Sequence, residues 1–449
     1  MNFKKISIEI KNEFIDIIYD SYSKKFYTYE DKKHWSYIEG DHIKSHIFKT
    51  RDEVTTPNQT NTVLESMKYL FMLERGKSMN NNRNKITLLN GVLDIEEFKI
   101  EPHKKDYHST NLINIELNDD DIQKARDGSI KQLLGDAPML KKYFYGTFHK
   151  SYYKYPEATI ETIQQIAGLC LAPHCKAQKA FFLLGDGENG KSVFIDILEA
   201  MLNPESVSSI PFSKFSEKFE VVDVCDKLAN ISAESGGVRF SQDASTDVAK
   251  AVITGDRVRS AVKFLSAKEF RPMATLIFSV NDAPQINDDS HGFIRRIVMM
   301  EFKRKIPENE KVTDLSKRII ENEMKQFFVF ALGGLIKMHE SNYKNFRMCD
   351  ETIEQTEAYK TMINPFNDFM KTKIVINENA KMSCKAFQSL YREYIEDTDN
   401  PNDKLKNNSL GIKLKKHMKE YKFFRKVKNH QGNESFYSGI GANPIITTS

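Results

Sequence analysis

The sequence contains little cysteine and only a small excess of positive charge. Its five cysteines in 449 residues have no regular spacing, which is typical of a protein kept in a reducing compartment. The formal net charge of +4 excludes a general polycation, so any nucleic-acid surface must come from local clusters of lysine and arginine. No apolar run approaches the ~18 residues of a membrane span, and no signal peptide is evident. We therefore expect a soluble, cytoplasmic protein that does not cross a membrane.

The length predicts several domains, because 449 residues exceed one ordinary core. Polar breaks and changes of periodicity divide the chain. The expected parts are an accessory region with a hairpin and helices, a collar-like domain, an α/β domain, a helical lid or linker, and a C-terminal domain, over residues 1–84, 85–175, 176–305, 306–362 and 363–449.

Local patterns predict the elements at both ends of the chain. Helical spacing extends from residue 1 to about 20, and two alternating segments around a charged turn predict a hairpin over 25–38. Asn90-Gly91 between apolar runs predicts a second hairpin. The tail predicts three helices and a terminal hairpin, over 365–373, 383–397, 409–421, 423–428 and 434–440.

The most informative stretch is a glycine-rich turn between a buried strand and a helix. It reads Gly185, Asp186, Gly187, Glu188, Asn189, Gly190, Lys191 and Ser192, the pattern G-x-x-x-x-G-K-[ST]. Glycines let backbone N–H groups converge on phosphate oxygens, and the new helix directs its positive end at the same anion. Lys191 would contact the β- and γ-phosphates, and Ser192 would bind Mg²⁺. The motif predicts a nucleoside triphosphate site, with ATP and Mg²⁺ as the expected cofactors.

Polar residues follow the other apolar strands of this region. One strand ends at Glu234 and another is followed by Asn281, while Arg295 and Arg296 precede a last strand. Strands of this kind with helical or loop crossovers are typical of an open α/β sheet, whose ligand lies beyond the carboxyl ends of the strands.

Five motifs in this order carry a resemblance to a known family. They are GDGENGKS (185–192), ISAESGG (231–237), K-x3-TGD-x2-R (250–259), FSVNDAP (278–284) and GFIRRI (292–297). Together they resemble superfamily 3 DNA helicases, specifically the helicase portion of phage- and plasmid-type primase-helicases. The resemblance covers roughly residues 85–300. It implies an AAA+ P-loop motor that assembles as a hexameric ring, acts on single- and double-stranded DNA and moves 3′ to 5′.

The resemblance implies roles for the polar residues at the strand ends. Glu234 would activate the attacking water and, with Ser192, contribute to the Mg²⁺ site. Asn281 would be the polar sensor of the γ-phosphate. Arg295 or Arg296 would be an arginine finger for the nucleotide of a neighbouring subunit. Ala233 stands where the common AAA+ pattern has aspartate, so the second acidic Mg²⁺ ligand stays open.

Two basic segments are candidate DNA contacts. In the family the first one is a hairpin that grips single-stranded DNA, and here it carries aromatic residues between its cations. The second follows the order of a winged helix domain over 363–449. A solvated charged surface is the alternative for both. The candidate residues are Arg259, Lys263, Lys268 and Arg271 in the first segment, and Lys413, Lys416 and Arg425 in the second.

The combined expectation is an ATP-dependent DNA helicase that replicates a mobile element. Residues before 85 are too few for a primase domain, so a separate primase or polymerase would be a partner. One alternative is a replication initiator whose main role is origin recognition and melting. Another is a P-loop ATPase that is not a helicase.

Overall fold

The structure is a computed structural model that describes most of the chain in two compact units. The first unit contains described residues up to 284 together with 291–355, and the second contains those from 356 to 443. The description begins at residue 2 and omits 15, 22, 32, 75–76, 217–220, 235–245, 263–264, 285–290, 398–406, 420, 423, 429–434 and 444–449.

The N-terminal segment combines helices with a small antiparallel sheet. The predicted hairpin over 25–38 is confirmed, with Glu30 opposite His34. The helix predicted to about residue 20 is wrong in its second half. Ile17 lies opposite Thr28 in a third strand, because extended pairing with the hairpin overrides the local helical spacing. The elements are α1 (Phe3–Glu13), β1 (Ile17–Asp20), β2 (Lys25–Glu30), β3 (His34–Ile38), α2 (Gly40–Thr50) and α3 (Pro57–Leu70).

The next segment begins with strands and continues as helices. The predicted turn at Asn90-Gly91 is confirmed, since Thr87 and Val92 pair across it. Trp35 donates from Nε1 to the carbonyl oxygen of Lys105 at 2.9 Å, so contacts cross the predicted boundary at residue 84. The elements are β4 (Lys85–Leu88), β5 (Val92–Asp94), β6 (Lys99–Glu101), β7 (Leu112–Ile113), α4 (Asp119–Asp127), α5 (Ile130–Leu133), α6 (Pro138–Thr147) and α7 (Pro156–Leu171).

The centre of the first unit is a parallel sheet covered by helices, which confirms the mixed α/β class. Its elements are β8 (Ala180–Leu184), α8 (Lys191–Leu202), β9 (Val207–Ser208), β10 (Ala229–Glu234), α9 (Asp247–Thr254), β11 (Val258–Val262), β12 (Leu265–Phe270), β13 (Thr275–Val280), α10 (His291–Ile294), β14 (Ile297–Glu301), α11 (Leu315–Asn322) and α12 (Met324–Glu340). Helix α13 (Asp350–Ile363) begins in the first unit and ends in the second. Among the described residues, the parallel sheet has the order β14-β8-β13-β10-β9. β8 and β13 are almost wholly apolar and buried, as expected for strands covered on both faces.

The backbones of helices α7 and α12 pack closely against each other. A Cβ atom at Gly334 would lie 2.1 Å from the carbonyl oxygen of Gln164, and one at Gly168 would lie 2.4 Å from the nitrogen of Leu335. Only glycine fits at these positions. The contact holds the helix that precedes β8, and thereby the start of that strand.

The second unit alternates helices with a small sheet. The predicted helix start at Asn364-Pro365 is confirmed, because the Asn364 side chain accepts from the nitrogen of Asn367 at 3.0 Å. One strand, β15, was not expected, and the third helix ends at residue 417 rather than 421. Among the described residues the sheet order is β15-β17-β16. The elements are α14 (Pro365–Lys373), β15 (Ile374–Ser383), α15 (Cys384–Asp397), α16 (Asn407–His417), β16 (Arg425–Lys428) and β17 (Ser435–Ala442).

Short 3-10 turns complete the described secondary structure. They are Lys105–Tyr107, Pro204–Ser206, Phe212–Ser216, Val221–Val224 and Glu308–Glu310.

Candidate functional site

The carboxyl ends of three neighbouring strands lie level with each other. Val280 at the end of β13 pairs with Glu234 at the end of β10 and with Leu184 at the end of β8. Gly185 follows Leu184, and Asn281 follows Val280. The glycine-rich loop, Asn281 and Glu234 therefore lie together at the carboxyl ends of these strands. The structure therefore brings together three parts of the predicted site, although the Glu234 side chain lies outside the described residues.

The loop 185–192 has the backbone that its glycines allow. Gly190 is left-handed, with φ of +87°, and directly precedes helix α8. A Cβ atom there would lie 2.8 Å from Oγ1 of Thr147, so a larger residue would meet both strain and a clash. Gly187 also has a positive φ, of +96°, but no atom lies within 4 Å of its built Cβ. Gly187 is therefore required only for its backbone conformation, whereas Gly190 is required for both its backbone conformation and its close packing.

Lys191 is buried at the start of α8, and its ammonium group contacts backbone oxygens. Nζ donates to the carbonyl oxygen of Val280 at 2.8 Å and to that of Gly185. Burial lowers the pKa of Lys191, and the charge of Asp186 opposes that change. Ser192 is exposed beside it. The lysine is therefore held inside the loop at the positive end of the helix.

A cavity of about 560 Å³ opens over this loop. Ser192, Ala233 and Asn281 line the part beside the strand ends. The lining also includes five large side chains that are mainly apolar, which are Tyr143, Val193, Ile306, Val312 and Leu315. A lining that combines polar groups with apolar side chains suits a ligand that joins an anionic group to an aromatic ring.

Sequence reasoning missed the residues that α6 and the segment after β14 contribute to this cavity. The hydroxyl of Tyr143 donates to the carbonyl oxygen of Gly190 at 2.9 Å. Arg304 is buried and donates to the carbonyl oxygen of Gly146 at 2.6 Å and to Oε1 of Glu310 at 2.6 Å. No motif marks either residue, because each acts through a contact between distant parts of the chain.

Glu188 in the loop is tied to the segment that follows β14. Its carboxylate accepts from Lys305 at 2.7 Å and from Lys311 at 3.0 Å, and its carbonyl oxygen accepts from the nitrogen of Ile306 at 2.8 Å. Hydrogen bonds from Lys305 and Lys311 lower the pKa of Glu188 to about 2. Lys311 also lines the cavity, so a cation that the sequence did not single out is positioned beside the loop.

Arg295 and Arg296 lie at the opposite end of the strands, where β8 begins. The carbonyl oxygen of Arg296 accepts from the nitrogen of Ala180, the first residue of β8, at 2.9 Å. The five residues of β8 separate this point from Gly185, a length of about 16 Å. Arg295 is exposed, whereas Arg296 is partly buried, and burial and the charge of Arg295 lower the pKa of Arg296. The structure does not bring these arginines to the chain's own loop.

The predicted basic hairpin is confirmed as β11 and β12, which pair antiparallel from Val258 opposite Phe270. Arg259 and Arg271 are exposed. Lys263 lies outside the described residues, as does the side chain of Lys268. The hairpin geometry is thus established while its role stays a prediction.

In the second unit, α16 has an apolar face and a basic face. Leu410, Leu414 and Met418 are buried, whereas Lys416 is exposed and Lys413 is half-buried. Arg425 begins β16, all four residues of which are exposed. The exposed cations therefore lie opposite the core of this unit.

Two negative findings concern the described part of the chain. It contains no group of three or more His, Cys, Asp and Glu side chains suited to a metal ion. None of its helices is long and apolar enough to span a membrane.

Two family models match parts of the chain. One, described as D5 N terminal like, matches residues 9–145. The other, a family of unknown function (DUF5906), matches residues 183–296. The second match begins just before Gly185 and ends at Arg296, so it contains the loop, Glu234, Asn281 and both arginines.

A curated viral protein is similar in sequence. "Putative helicase L207/L206" of Acanthamoeba polyphaga mimivirus is 22% identical over 344 residues, which are 71% of this chain and 33% of that protein. The chain thus spans about a third of the length of the curated relative it matches.

Solved structures share the fold. The apo structure of the NrS-1 C terminal region aligns with a TM-score of 0.52 and 13% identity, over 98% of this chain and 99% of that chain. Its A form apo structure aligns with a TM-score of 0.52 and 13% identity, over 97% and 98%. At this identity the likeness shows a common mixed α/β fold.

Proposed function

We propose that this chain is an ATP-dependent DNA helicase that works as a ring in the replication of a mobile element. The observation that carries the proposal is the cavity that Lys191, Ser192 and Asn281 line at the carboxyl ends of the parallel strands. The similarity to a mimivirus protein named as a putative helicase supports the same assignment. The five-motif resemblance to superfamily 3 helicases then supplies the finer class, an AAA+ motor.

The residues of the cavity suit the triphosphate and its cation. On binding, Lys191 would exchange the carbonyl oxygens of Val280 and Gly185 for phosphate oxygens, which are stronger partners for an ammonium group. The hydroxyl of Ser192 and the carboxylate of Glu234 are hard oxygen donors of the kind that Mg²⁺ prefers. Ala233 has no ligand atom to offer, so water and phosphate oxygens would complete the shell. The ion would neutralise charge on the transferring phosphoryl group.

Glu234 and Asn281 are the proposed groups for the attacking water. Neighbouring parallel strands are about 4.8 Å apart, so the end of β10 lies two strand spacings from the loop. A water between Glu234 and the γ-phosphate would give up a proton to the carboxylate as its oxygen bonds to the γ-phosphorus, while the bond from that phosphorus to the β,γ-bridging oxygen breaks and ADP leaves. Asn281 on the strand between them would orient that water or the phosphate.

The two arginines are proposed to act on the nucleotide of another copy. A strand length of about 16 Å separates them from their own loop, which is more than an arginine side chain spans. The nucleotide on which Arg295 or Arg296 would act is therefore that of a neighbouring subunit, which requires an oligomer. The family resemblance makes that oligomer a hexameric ring, with Arg295 favoured over Arg296 because it is exposed.

The basic hairpin is proposed to couple hydrolysis to movement along single-stranded DNA. In the linear order of the chain, β11 and β12 lie between the strand of Glu234 and that of Asn281, and β12 leads into β13, the strand that Asn281 follows. Cations track phosphates and aromatic rings stack on bases. The second unit, with three helices and a three-stranded sheet, is proposed as a winged helix domain that binds double-stranded DNA.

Variants of the loop and of the hairpin, each measured for ATP hydrolysis and for duplex unwinding, test this division of roles. Lys191→Ala should abolish ATP turnover, and Lys263→Ala with Lys268→Ala should retain basal turnover but lose separation of a forked duplex. Lys131→Ala, which removes an exposed cation from α5, serves as the control and should leave both activities intact. Equal loss of turnover in the loop and hairpin variants would contradict the proposal.

The exposed basic strand of the second unit favours a second role, origin recognition. Arg425–Lys428 is fully exposed, and Lys415, Lys416 and Lys419 are exposed on or just after α16. Phosphate contacts of this kind position a protein on DNA, but base contacts are needed for specificity. Footprinting the full chain and an Arg425→Ala, Lys416→Ala variant on random and origin-containing duplexes would decide between general and specific binding.

A further inference from the structure

Helix α6 and the turn that follows it carry positive charge without acidic residues. Residues 137–156 contain no Asp or Glu, but they contain four lysines and five of the chain's 18 tyrosines. All four lysines are exposed, and none forms an ion pair among the described residues. They are Lys141, Lys142, Lys150 and Lys154. Solvated protein surfaces normally intersperse both signs of charge, so this face differs from an ordinary solvated one.

Two tyrosines of the turn between α6 and α7 are exposed. Tyr152 is 50% exposed and Tyr155 is 51% exposed, although an aromatic ring of this size gains most when it is buried. Nζ of Lys154 lies 5.0 Å from the centre of the Tyr155 ring. A cation that can pair with a phosphate therefore lies beside a ring on which a base can stack.

The inner side of this turn is anchored by hydrogen bonds. The hydroxyl of Tyr153, which is buried, donates to the carbonyl oxygen of Glu301 at 2.9 Å and accepts from the nitrogen of Lys303 at 2.8 Å. The backbone nitrogen of Lys154 donates to Oε1 of Glu351 at 2.7 Å. The backbone of the turn is thereby fixed, so a ligand that binds its outer side would not have to order it first.

The carboxylates next to this face have other partners. Oε1 of Glu157 accepts from the hydroxyl of Tyr145 at 3.3 Å. Glu310, whose pKa Arg304 lowers by a hydrogen bond, accepts from that buried guanidinium at 2.6 Å. These acids therefore leave the exposed lysines available to an anionic partner.

We propose that the outer side of α6 and the turn 149–155 bind single-stranded DNA, at a surface separate from the basic hairpin and from the second unit. Lysines without ion pairs next to exposed rings are the combination that holds a single strand, because cations pair with phosphates and rings stack on bases. A duplex keeps its bases stacked on each other and offers no base face to Tyr152 or Tyr155. The choice of DNA rests on the proposed function, whereas binding at this surface does not require hydrolysis of ATP.

Tryptophan fluorescence in the full chain reports stacking at this face. Trp35 is the single tryptophan of the chain and is only 3% exposed, so it should respond little to a strand. Tyr152→Trp places an exposed indole in the turn, and a short oligothymidylate should quench its emission as a base stacks on it. Tyr69→Trp is the matched control, because Tyr69 is 77% exposed on α3, and its emission should not change.

Neutral variants of the lysines test the phosphate contacts. Adding Lys150→Gln and Lys154→Gln to the Tyr152→Trp chain should weaken the quenching affinity about tenfold. The slope of log K against log salt should fall by about 1.4, since each phosphate contact of a single strand contributes about 0.7. Lys4→Gln with Lys49→Gln removes the same charge from exposed positions on α1 and α2 and should change neither value. The thermal unfolding temperature should stay the same in all these chains.

Three results of the fluorescence titration would overturn the proposal. The first is emission of the Tyr152→Trp chain that the oligothymidylate leaves unchanged. The second is equal quenching by a blunt duplex or by polyglutamate, which would show a general anion surface or one for an acidic protein. The third is quenching by an oligouridylate alone, which would show a surface for RNA.

Photo-crosslinking of the chain without substitutions is the second measurement. A strand that contains 5-iododeoxyuridine should crosslink to a peptide that includes Tyr152 or Tyr155. Crosslinks confined to the basic hairpin and the second unit would overturn the proposal even if a variant had failed to fold. ATP turnover is measured separately on the same chain, so failure of the proposed hydrolysis is distinguishable from failure of this surface.

Discussion

The hydroxyl of Tyr143 donates a hydrogen bond to the carbonyl oxygen of Gly190, across 2.9 Å. Tyr143 belongs to α6, which precedes the parallel sheet in the chain, and Gly190 is the last residue before α8. The bond therefore fixes the end of the glycine-rich loop from outside the sheet. Burial raises the pKa of Tyr143, so the hydroxyl keeps its proton and remains a donor across the ordinary pH range.

Tyr143→Phe should weaken nucleotide binding by about fivefold. The change removes one hydrogen bond, worth about 1 kcal/mol, and leaves the ring that lines the cavity in place. Titration of a fluorescent ATP analogue measures the effect. Tyr145→Phe on the same helix is the control, because its hydroxyl contacts Glu157 instead of the loop. Equal affinity of both variants and the parent would show that the bond does not support the loop.

Gly190→Ala should abolish nucleotide binding, whereas Gly187→Ala should weaken it to a smaller extent. Both positions have positive φ and cost about 1–2 kcal/mol with a Cβ atom, but only the Cβ at Gly190 meets Thr147, at 2.8 Å. Thr147→Ala should partly restore binding to the Gly190→Ala variant. The same titration checks all three, and identical effects at the two glycines would argue against the packing role of Gly190.

Glu188 should stay ionised to about pH 2 because Lys305 and Lys311 donate to it. Its pKa is lower in the folded state than the ordinary 4.5, so its contribution to stability is present above pH 4.5 and is lost as the pH falls toward 2. Carboxylate NMR titration should show the low midpoint, and Lys305→Gln with Lys311→Gln should move it toward 4.5. A midpoint that the double variant leaves unchanged would exclude these lysines as the cause.

Gly334→Ala should destabilise the first unit by about 1–3 kcal/mol, because its Cβ would lie 2.1 Å from the carbonyl oxygen of Gln164 and must push α7 and α12 apart. Gly146→Ala is the matched control, since no atom lies within 4 Å of its built Cβ. That change should be neutral or stabilise α6 by up to about 1 kcal/mol. Chemical denaturation measures both. Comparable stability of the two variants would contradict the close approach of the helices.

Much of the fold could be predicted because its signals are local. The hairpins at 25–38 and at Asn90-Gly91 follow from alternation around turn residues, and the loop 185–192 follows from its motif. Strand β15 could not be predicted in the same way. Its middle is polar, from Asn377 to Asn379, and its two ends pair with β17 more than fifty residues later. The missed strand β1 likewise depends on its partner β2.

The residues of the candidate site likewise fall into those that a local sequence signal predicts and those that only tertiary contacts bring to the site. By itself the sequence determined the phosphate-type loop with Lys191 and Ser192 and named Glu234 and Asn281, because each has a recognisable position after a strand. Only the tertiary structure decided that Tyr143, Arg304 and Lys311 surround this loop, and that Arg295 and Arg296 lie beyond its reach. The two ends of β8 lie at opposite ends of the parallel sheet. The side chains that gather at each end come from distant parts of the chain and are brought together by packing, so no spacing along the sequence predicts them.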